Sequence, residues 1–195
     1  EEIVEQFTRR FVEKVDAIRV GNPMDEETEM GTVISPEHLL KIESYIDLAQ
    51  KEGGVILTGG TREMTGYNGP DGTGAFLRPT VVGNLPHTSR CATEEIFGPM
   101  VTLHTFSTEQ DALEMVNASE YGLAGSVWTS DIERGQRFST QIDSGIVWVN
   151  TWLHRDLRTP FGGVKNSGVG REGGQWSLDF FSELTNICIK DSDEN

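Results

Sequence analysis

Cysteine is scarce in this sequence. Only Cys91 and Cys188 occur among its 195 residues, and they lie far apart. Neither has the spacing of a zinc site or of a disulfide framework, so a reducing, cytoplasmic setting is expected. The four histidines form no H-x-x-x-H or related set either. We therefore predict that the protein holds no metal.

Positive charge and long apolar runs are scarce as well. The chain has 16 basic and 31 acidic residues, which gives a net charge of −15. Because basic side chains neutralise nucleic-acid phosphates and bind anionic membranes, neither a nucleic acid nor a membrane is an expected partner. The apolar runs are only a few residues long, too short to span a bilayer. The first residues, EEIVEQF, lack an initiator Met and a signal-peptide pattern, which indicates a processed or partial chain.

The first part of the chain contains two helix patterns. Residues 1–19 have apolar side chains at helical spacing, and Ser35-Pro36-Glu37 is typical of a helix start. Strands are predicted at 55–57 and 76–82, with a turn-rich stretch at 59–74 between them. The second helix is predicted to bury Leu39, Ile42, Ile46 and Ala49.

The middle of the chain alternates strands and helices. Strands are predicted at 101–106, 126–128 and 145–149. Capping boxes that begin at Ser107 and Ser130 start the two helices between them, which are predicted to run to about 117 and 142. Such alternation with short links predicts parallel strands. The expected fold class is therefore α/β, with one open, largely parallel sheet and flanking helices.

The glycine-rich stretch SGVGREGG, residues 167–174, matches the dinucleotide-binding pattern G-x-G-x-x-G at Gly168, Gly170 and Gly173. That motif needs a buried strand before it and a β-α-β unit after it. Residues 162–167 do not form a buried strand pattern, and only 22 residues follow Gly173. The stretch is therefore predicted to be an irregular loop, followed by a short helix at 174–184.

Cysteines and an acidic-aromatic segment are further candidates for catalysis or ligand binding. Cys91 with nearby His87 resembles a nucleophile and base, but no third group is evident to orient the base. Cys188 alternates with isoleucines, so burial or half-burial in a strand is expected. Glu95 and Phe97 could bind sugar hydroxyls and a ligand ring, although a solvated acid beside a core Phe is the commoner arrangement.

Two arginines follow the last strand of the alternating pattern. In open α/β sheets, ligands collect beyond the carboxyl ends of the strands. Arg155 and Arg158 could therefore bind a carboxylate, or each could pair with a nearby acid such as Asp156. The residue types alone leave these two alternatives open.

Four stretches resemble the aldehyde dehydrogenase superfamily: TEEIFGPMVTLHTF (93–106), YGLAGSVWTSD (121–131), SGIVWVNT (144–151) and PFGGVKNSGVGREGG (160–174). They occur in the family's order and extend over nearly the whole chain. NTWLHRDLRTPFGG and SELTNICIK are most similar to the 2-hydroxymuconic and 2-aminomuconic semialdehyde dehydrogenases. The resemblance implies oxidation of an aldehyde to an acid with NAD, with NADP left open.

The resemblance also implies how the chain is organised. Residues 1–184 match part of the catalytic domain, and residues 185–195 comprise an oligomerisation strand, expected at 185–190, and an acidic tail. In the family the nucleophilic Cys, the general-base Glu and the cofactor domain precede this region, so no catalytic residue is assigned. The chain alone is expected to be inactive, and the intact enzyme to be a homodimer or homotetramer. The alternative is a non-catalytic structural or interaction domain; a cysteine hydrolase ranks last.

Five residues acquire expected roles from the resemblance. Glu95 and Phe97 match the family's Glu and Phe that contact the nicotinamide ribose and ring. Arg155 lies where the family places residues of the substrate pocket, and an arginine there fits a small-molecule aldehyde that carries a carboxylate. Arg158 is the second candidate for this contact, and Phe161 is expected to line the pocket or to pack beneath it.

Overall fold

Two compact units make up the chain in a computed structural model, which describes residues 3–63 and 74–190. The first unit runs to Ser119, and the second begins at Glu120. The middle of the turn-rich stretch predicted at 59–74 lies outside the described residues. The elements of the first unit are α1 (Val4–Asp16), α2 (Pro36–Lys51), β1 (Val55–Thr58), β2 (Thr80–Gly83), α3 (Arg90–Thr93), β3 (Met100–Thr102) and α4 (Glu109–Asn117).

Helix α2 begins as its sequence predicts. The Ser35 side chain accepts a hydrogen bond from the backbone N–H of His38, and Pro36 occupies the first helical position. The four predicted core residues, Leu39, Ile42, Ile46 and Ala49, are all buried. They recur every three or four residues, so one stripe of α2 faces the core of the first unit.

The sheet of the first unit has three short strands in the order β1-β2-β3. Strand β1 is antiparallel to β2, and β2 is parallel to β3. Every residue of β2 is buried, which explains its continuous apolar sequence after Thr80. The core lies between this sheet and α2, where Leu77 and Ile96 form one cluster with the first three residues of the α2 stripe. Ala49, the fourth, packs in a second cluster with Val82.

The second unit contains the clearest βαβ arrangement. Its elements are β4 (Tyr121–Gly122), β5 (Ala124–Val127), α5 (Ile132–Ser139), β6 (Ile146–Val149), β7 (Val164–Lys165) and α6 (Gly174–Phe181). Strands β5 and β6 are parallel with α5 between them, which confirms the predicted pairing of these two strands. The short strands β4 and β7, which the sequence did not predict, pair antiparallel.

The prediction of one largely parallel sheet was wrong. Strand β3 pairs with β2, not with β5, and the described strands form three small sheets. The reason is that sequence alternation indicates strands but does not fix their partners, which are chosen by packing between distant segments. The two helix starts were also misplaced by one residue, because Thr108 and Asp131, not Ser107 and Ser130, accept the capping hydrogen bonds.

The predicted C-terminal strand at 185–190 is not a strand in the described chain. These residues are exposed, and Cys188 is exposed too, so its predicted burial was wrong. An apolar alternation yields a buried strand only where another strand or a core covers it. Pairing of this segment with another subunit stays a prediction. No helix among the described residues is long and apolar enough to cross a membrane.

Candidate functional site

Glu95 and Phe97 flank a side chain that is part of the core. Ile96 is buried in the cluster that contains Leu39 and Ile42, while both of its neighbours are exposed. The segment thus buries Ile96 and leaves the side chains of Glu95 and Phe97 on the solvent side. Phe97 is 71% exposed, far more than a packing role requires. The two predicted cofactor residues therefore lie next to each other on an accessible surface.

One face of α2 binds this segment through a row of polar contacts. His38 Nε2 lies 2.6 Å from the Phe97 carbonyl oxygen, and Lys41 Nζ donates to the Glu95 carbonyl at 3.2 Å. The Tyr45 hydroxyl donates to the Glu94 carboxylate at 2.6 Å. Residues three and four apart share a helix face, so the three side chains form one row. Residue numbers rise along α2 as they fall along the segment, so the two run antiparallel.

Glu94 is occupied by structural contacts. Arg90 donates to both of its carboxylate oxygens, at 2.7 and 3.0 Å, in addition to the Tyr45 bond. The Arg90 and Tyr45 hydrogen bonds favour the charged form and lower the pKa of Glu94 from its usual 4.5 to about 2. The same Glu94 bond raises the pKa of Tyr45. Among the described residues, no hydrogen bond or ion pair is assigned to the Glu95 carboxylate, which leaves it available to a ligand.

A small cavity of about 200 Å³ lies beside the Phe97 ring. Val33, His38, Gly98 and Pro99 are among the residues that line it. The His38 and Phe97 rings meet edge to face, with centroids 6.2 Å apart and planes at 75°. This geometry is favourable for aromatic rings and leaves most of the Phe97 ring free to meet another planar group.

Arg155 belongs to a separate cluster in the second unit. Its guanidinium carbon lies 4.0 Å from the centroid of the Phe161 ring, and its Nη2 donates to Glu172 Oε1 at 2.6 Å. Phe161 and Glu172 exchange two backbone hydrogen bonds of 2.8 Å each. The pair therefore presents a ring face and a carboxylate to the same arginine, which fixes the guanidinium plane.

Arg158 pairs with a nearby acid, which is one of the two alternatives that the sequence left open. Its Nε and Nη2 donate to the two oxygens of Asp156, at 2.9 and 2.5 Å. These bonds lower the pKa of Asp156, since they favour the carboxylate. The Arg158 side chain is 87% exposed. Because the Arg158 guanidinium already binds Asp156, two residues away, Arg155 is the better placed of the two arginines to bind a substrate carboxylate.

The glycine-rich stretch 167–174 is an irregular loop, as predicted. Gly168, Gly170 and Gly173 have φ values of 154°, 76° and 99°, which side chains other than glycine rarely adopt. The strand before it is the two-residue antiparallel β7, not the buried parallel strand of a dinucleotide turn. Glu172, which the sequence analysis did not single out, lies in this loop and holds Arg155.

The two cysteines differ in exposure, and Cys91 does not have the environment of a nucleophile. Cys91 is buried, and burial raises the pKa of its thiol, which disfavours the reactive thiolate. Its Sγ donates to the Tyr45 carbonyl at 3.4 Å. Within residues 3–63 and 74–190, no hydrogen bond joins it to His87, and no three His, Cys, Asp or Glu side chains are arranged to hold a metal.

A model of the aldehyde dehydrogenase family matches residues 1–187. The chain belongs to this family. The 2-aminomuconic 6-semialdehyde dehydrogenase of a Pseudomonas species is 42% identical over 188 residues, and the 2-hydroxymuconic semialdehyde dehydrogenase of Pseudomonas putida is 43% identical over 189. Both matches cover 96% of this chain and 38% of the relative. The predicted family and the predicted likeness to these dehydrogenases are confirmed.

Solved structures share the fold. HpcC of Thermus thermophilus superimposes with a TM-score of 0.87 at 40% identity, over 98% of this chain and 39% of that one. Betaine aldehyde dehydrogenase of Staphylococcus aureus, solved in complex with NAD⁺, gives 0.85 at 42% identity, over 93% and 35%. This member of the family therefore spans about two fifths of the length of the relatives it matches.

Three helix residues that contact the 94–97 segment were not found by sequence reasoning. His38, Lys41 and Tyr45 lie on α2, between 49 and 59 residues away along the chain. Their spacing of three and four residues indicates one face of a helix, and this face is different from the one that carries the buried stripe of α2. That signal indicates a polar face, but nothing local in the sequence indicates what the face binds.

Proposed function

We propose that this chain forms the C-terminal part of the catalytic domain of an NAD(P)-dependent aldehyde dehydrogenase. Its substrate would be a semialdehyde that carries a carboxylate, of the 2-hydroxymuconic or 2-aminomuconic type. Three relatives with these names are 41–43% identical over 96% of the chain, which supports the substrate class. The observation that carries the proposal is the ring-supported Arg155 guanidinium, since a fixed cation suits a substrate carboxylate.

The cofactor contact in this proposal belongs to the first unit. The Glu95 carboxylate, to which no partner is assigned in the described part of the chain, is suited to accept hydrogen bonds from ribose hydroxyls. The exposed Phe97 ring is suited to pack against a nicotinamide. When bound, NAD supplies the hydride acceptor of the oxidation. Glu95 would orient the sugar, and Phe97 would limit where the ring can lie. Glu94 takes no part, because Arg90 and Tyr45 hold its oxygens.

The substrate contact belongs to the second unit. Arg155 uses Nη2 for Glu172, and within the described residues no bond is assigned to its Nη1 or Nε. Those donors are available to a substrate carboxylate, while the Phe161 face keeps the guanidinium plane from rotating. Arg158 is the weaker candidate because Asp156 already occupies its fork.

A cysteine hydrolase is the less favoured function. Such an enzyme needs a thiolate with an oriented base, whereas Cys91 is buried with a raised pKa. Aldehyde oxidation needs a thiolate nucleophile and a general base too, and we assign neither to this chain. We therefore expect the purified 195-residue chain to reduce no NAD in the presence of aldehydes. Detectable NAD-dependent oxidation by that chain would contradict this expectation.

The proposal is testable in a chimera in which residues 1–187 replace the matching segment of the Pseudomonas 2-aminomuconic 6-semialdehyde dehydrogenase. The chimera should oxidise muconic semialdehydes. Arg155→Ala should raise KM for a carboxylated aldehyde about 10- to 100-fold, the loss expected for a charge-assisted hydrogen bond. KM for a neutral aldehyde of similar size should change little. Steady-state kinetics with both substrates measures the difference.

Arg158→Ala is the matched control for Arg155→Ala. It removes the same charge three residues away, where Asp156 already satisfies the guanidinium. We expect its KM values to stay within about twofold of the parent chimera, because an exposed local pair contributes little. Equal losses with carboxylated and neutral aldehydes in Arg155→Ala would count against a carboxylate contact. A larger effect in Arg158→Ala would transfer that role to Arg158.

A further inference from the structure

We propose that His38 is a positioning residue for Phe97, and that it places the ring for its contact with the nicotinamide. The inference rests on the proposed function, because it assumes that Phe97 meets the cofactor. The observation behind it is that His38 contacts Phe97 twice, through the carbonyl oxygen at 2.6 Å and through the ring edge. One side chain thus restrains both the backbone and the ring of the same residue.

The backbone of Phe97 needs such a restraint. Its φ is +59°, in the left-handed region that a bulky side chain rarely adopts. A residue in that region keeps its conformation only where its surroundings enforce it. Rotation back to ordinary extended backbone would move the carbonyl away from His38 and redirect the ring. The His38 hydrogen bond opposes that rotation directly, since it holds the carbonyl that would have to turn.

The residues on either side of Phe97 allow little other adjustment. Ile96 is buried in the core, and a Cβ built on Gly98 would lie 2.4 Å from Cδ1 of the fully buried Ile42. The segment therefore lies directly against α2 on both sides of Phe97. Lys41 holds the Glu95 carbonyl at 3.2 Å, so the backbone is fixed before and after the buried side chain. His38 is the last contact in this row and the one nearest to the proposed ring contact.

The contact determines which ring nitrogen of His38 carries a proton. A carbonyl oxygen only accepts hydrogen bonds, so Nε2 must carry the proton. Glutamine places an amide N–H at a similar reach from the backbone and can donate to the same oxygen. Leucine fills a similar volume but has no donor. The Gln and Leu variants therefore separate the hydrogen bond from the bulk of the side chain.

The first measurement needs no cofactor. The 195-residue chain is labelled with 4-fluorophenylalanine, and the ¹⁹F resonance of Phe97 is assigned by its loss in Phe97→Leu. We expect His38→Leu to move or broaden this resonance and His38→Gln to restore most of its position. His87→Gln, a change at an exposed histidine of the same unit, should leave it unchanged. Unchanged resonances from the other phenylalanines would show that the chain remains folded.

The second measurement uses the chimera described above. His38→Leu should raise KM for NAD⁺ about 5- to 10-fold with a smaller change in kcat, and His38→Gln should recover most of the loss. An unchanged Phe97 resonance in His38→Leu would overturn the inference. So would a moved resonance with an unchanged KM for NAD⁺, provided that Phe97→Ala raises that KM. If Phe97→Ala also leaves it unchanged, the proposed cofactor contact itself fails, and the inference fails with it.

Discussion

The Glu95–Phe97 segment and the Arg155 cluster are held in place by different kinds of contact. In the first, α2 binds two backbone carbonyls, and the segment is anchored by the buried Ile96. In the second, Glu172 and Phe161 bind a side chain, and the carboxylate comes from a glycine-rich loop. The Arg155 and Glu172 side chains are 39% and 57% exposed. The first region is thus fixed by the fold and the second by a particular set of side chains.

This difference indicates what each region tolerates. A carbonyl belongs to every residue type, so substitution of Glu95 would leave the α2 contacts in place. The Arg155 cluster depends on charge and on an aromatic face, so every substitution there changes the contact itself. We expect steric changes to damage the first region most and charge changes to act mainly on the second.

The largest effect is expected from Gly98→Ala. The added Cβ would meet the buried Ile42 and force the segment away from α2, at a cost of about 1–3 kcal/mol in the free energy of unfolding. All four tryptophans lie at or beyond residue 128, so their fluorescence reports on the second unit alone. The midpoint of urea unfolding followed by circular dichroism should fall accordingly, and tryptophan fluorescence follows the second unit in the same experiment.

Gly31→Ala is the matched control for that substitution. It lies in the same unit, but its added Cβ would find the nearest atom, of Pro23, at an ordinary 3.6 Å. Its effect should stay within about 0.5 kcal/mol. Equal stability of the two variants would show that the contact between Gly98 and α2 can accommodate an added methyl group. It would contradict the view that the first region is the more rigidly fixed of the two.

A smaller effect concerns the pKa of Glu94. Because Arg90 contributes most to lowering this pKa, Arg90→Gln should raise it toward 4.5, and Tyr45→Phe should raise it less. The folded state favours the carboxylate, so the associated stability is present above about pH 4.5 and is lost as the pH falls toward 2. Carboxyl ¹³C shifts in a Glu-labelled chain would follow the titration. An unchanged Glu94 pKa in both variants would contradict these contacts.

The smallest effect is expected from Glu172→Gln. The variant retains the backbone bonds to Phe161 and loses only the charge opposite Arg155. Exposed ion pairs contribute little, so the loss should stay below about 1 kcal/mol in the fluorescence-detected transition. Glu183→Gln, at an exposed position of the same unit, is the control. A loss above about 2 kcal/mol would show that the Arg155 cluster is as rigidly built as the α2 contact.

Local features of the fold were predictable from the sequence. Ser35 and Pro36 specify the start of α2 through contacts within one turn, and the four predicted core residues of α2 are buried. The starts of α4 and α5 were predicted one residue early because two capping side chains stand side by side in each case. Thr108, not Ser107, caps α4 because its extended backbone lets its side-chain oxygen accept a hydrogen bond from the N–H of Asp111. That choice depends on backbone geometry, which residue types alone do not determine.

Non-local features were not predictable in the same way. The partners of β3 and β5 are decided by packing, so the alternating pattern did not reveal three separate sheets. Residue types made Glu95, Phe97 and Arg155 candidates, the family resemblance gave them specific roles, and those roles stay predictions. The residues that hold them, His38 and Glu172, lie 59 and 17 positions away. Only the folded chain brings these pairs within hydrogen-bonding distance.

The antiparallel row on α2 has a consequence for chain length. Tyr45, Lys41 and His38 are spaced by a rigid helix, and they meet Glu94, Glu95 and Phe97 in that order. A single-residue insertion or deletion between Glu94 and Phe97 would shift the acceptors on one side of it relative to their donors on α2 and would displace Ile96 from the core. Exchange of Glu95 for another residue type would keep its backbone carbonyl opposite Lys41, whereas Glu94 contributes a side-chain acceptor and Ile96 a buried side chain. The spacing of donors along the helix therefore restricts the number of residues in this segment, while the residue type is left open only at Glu95.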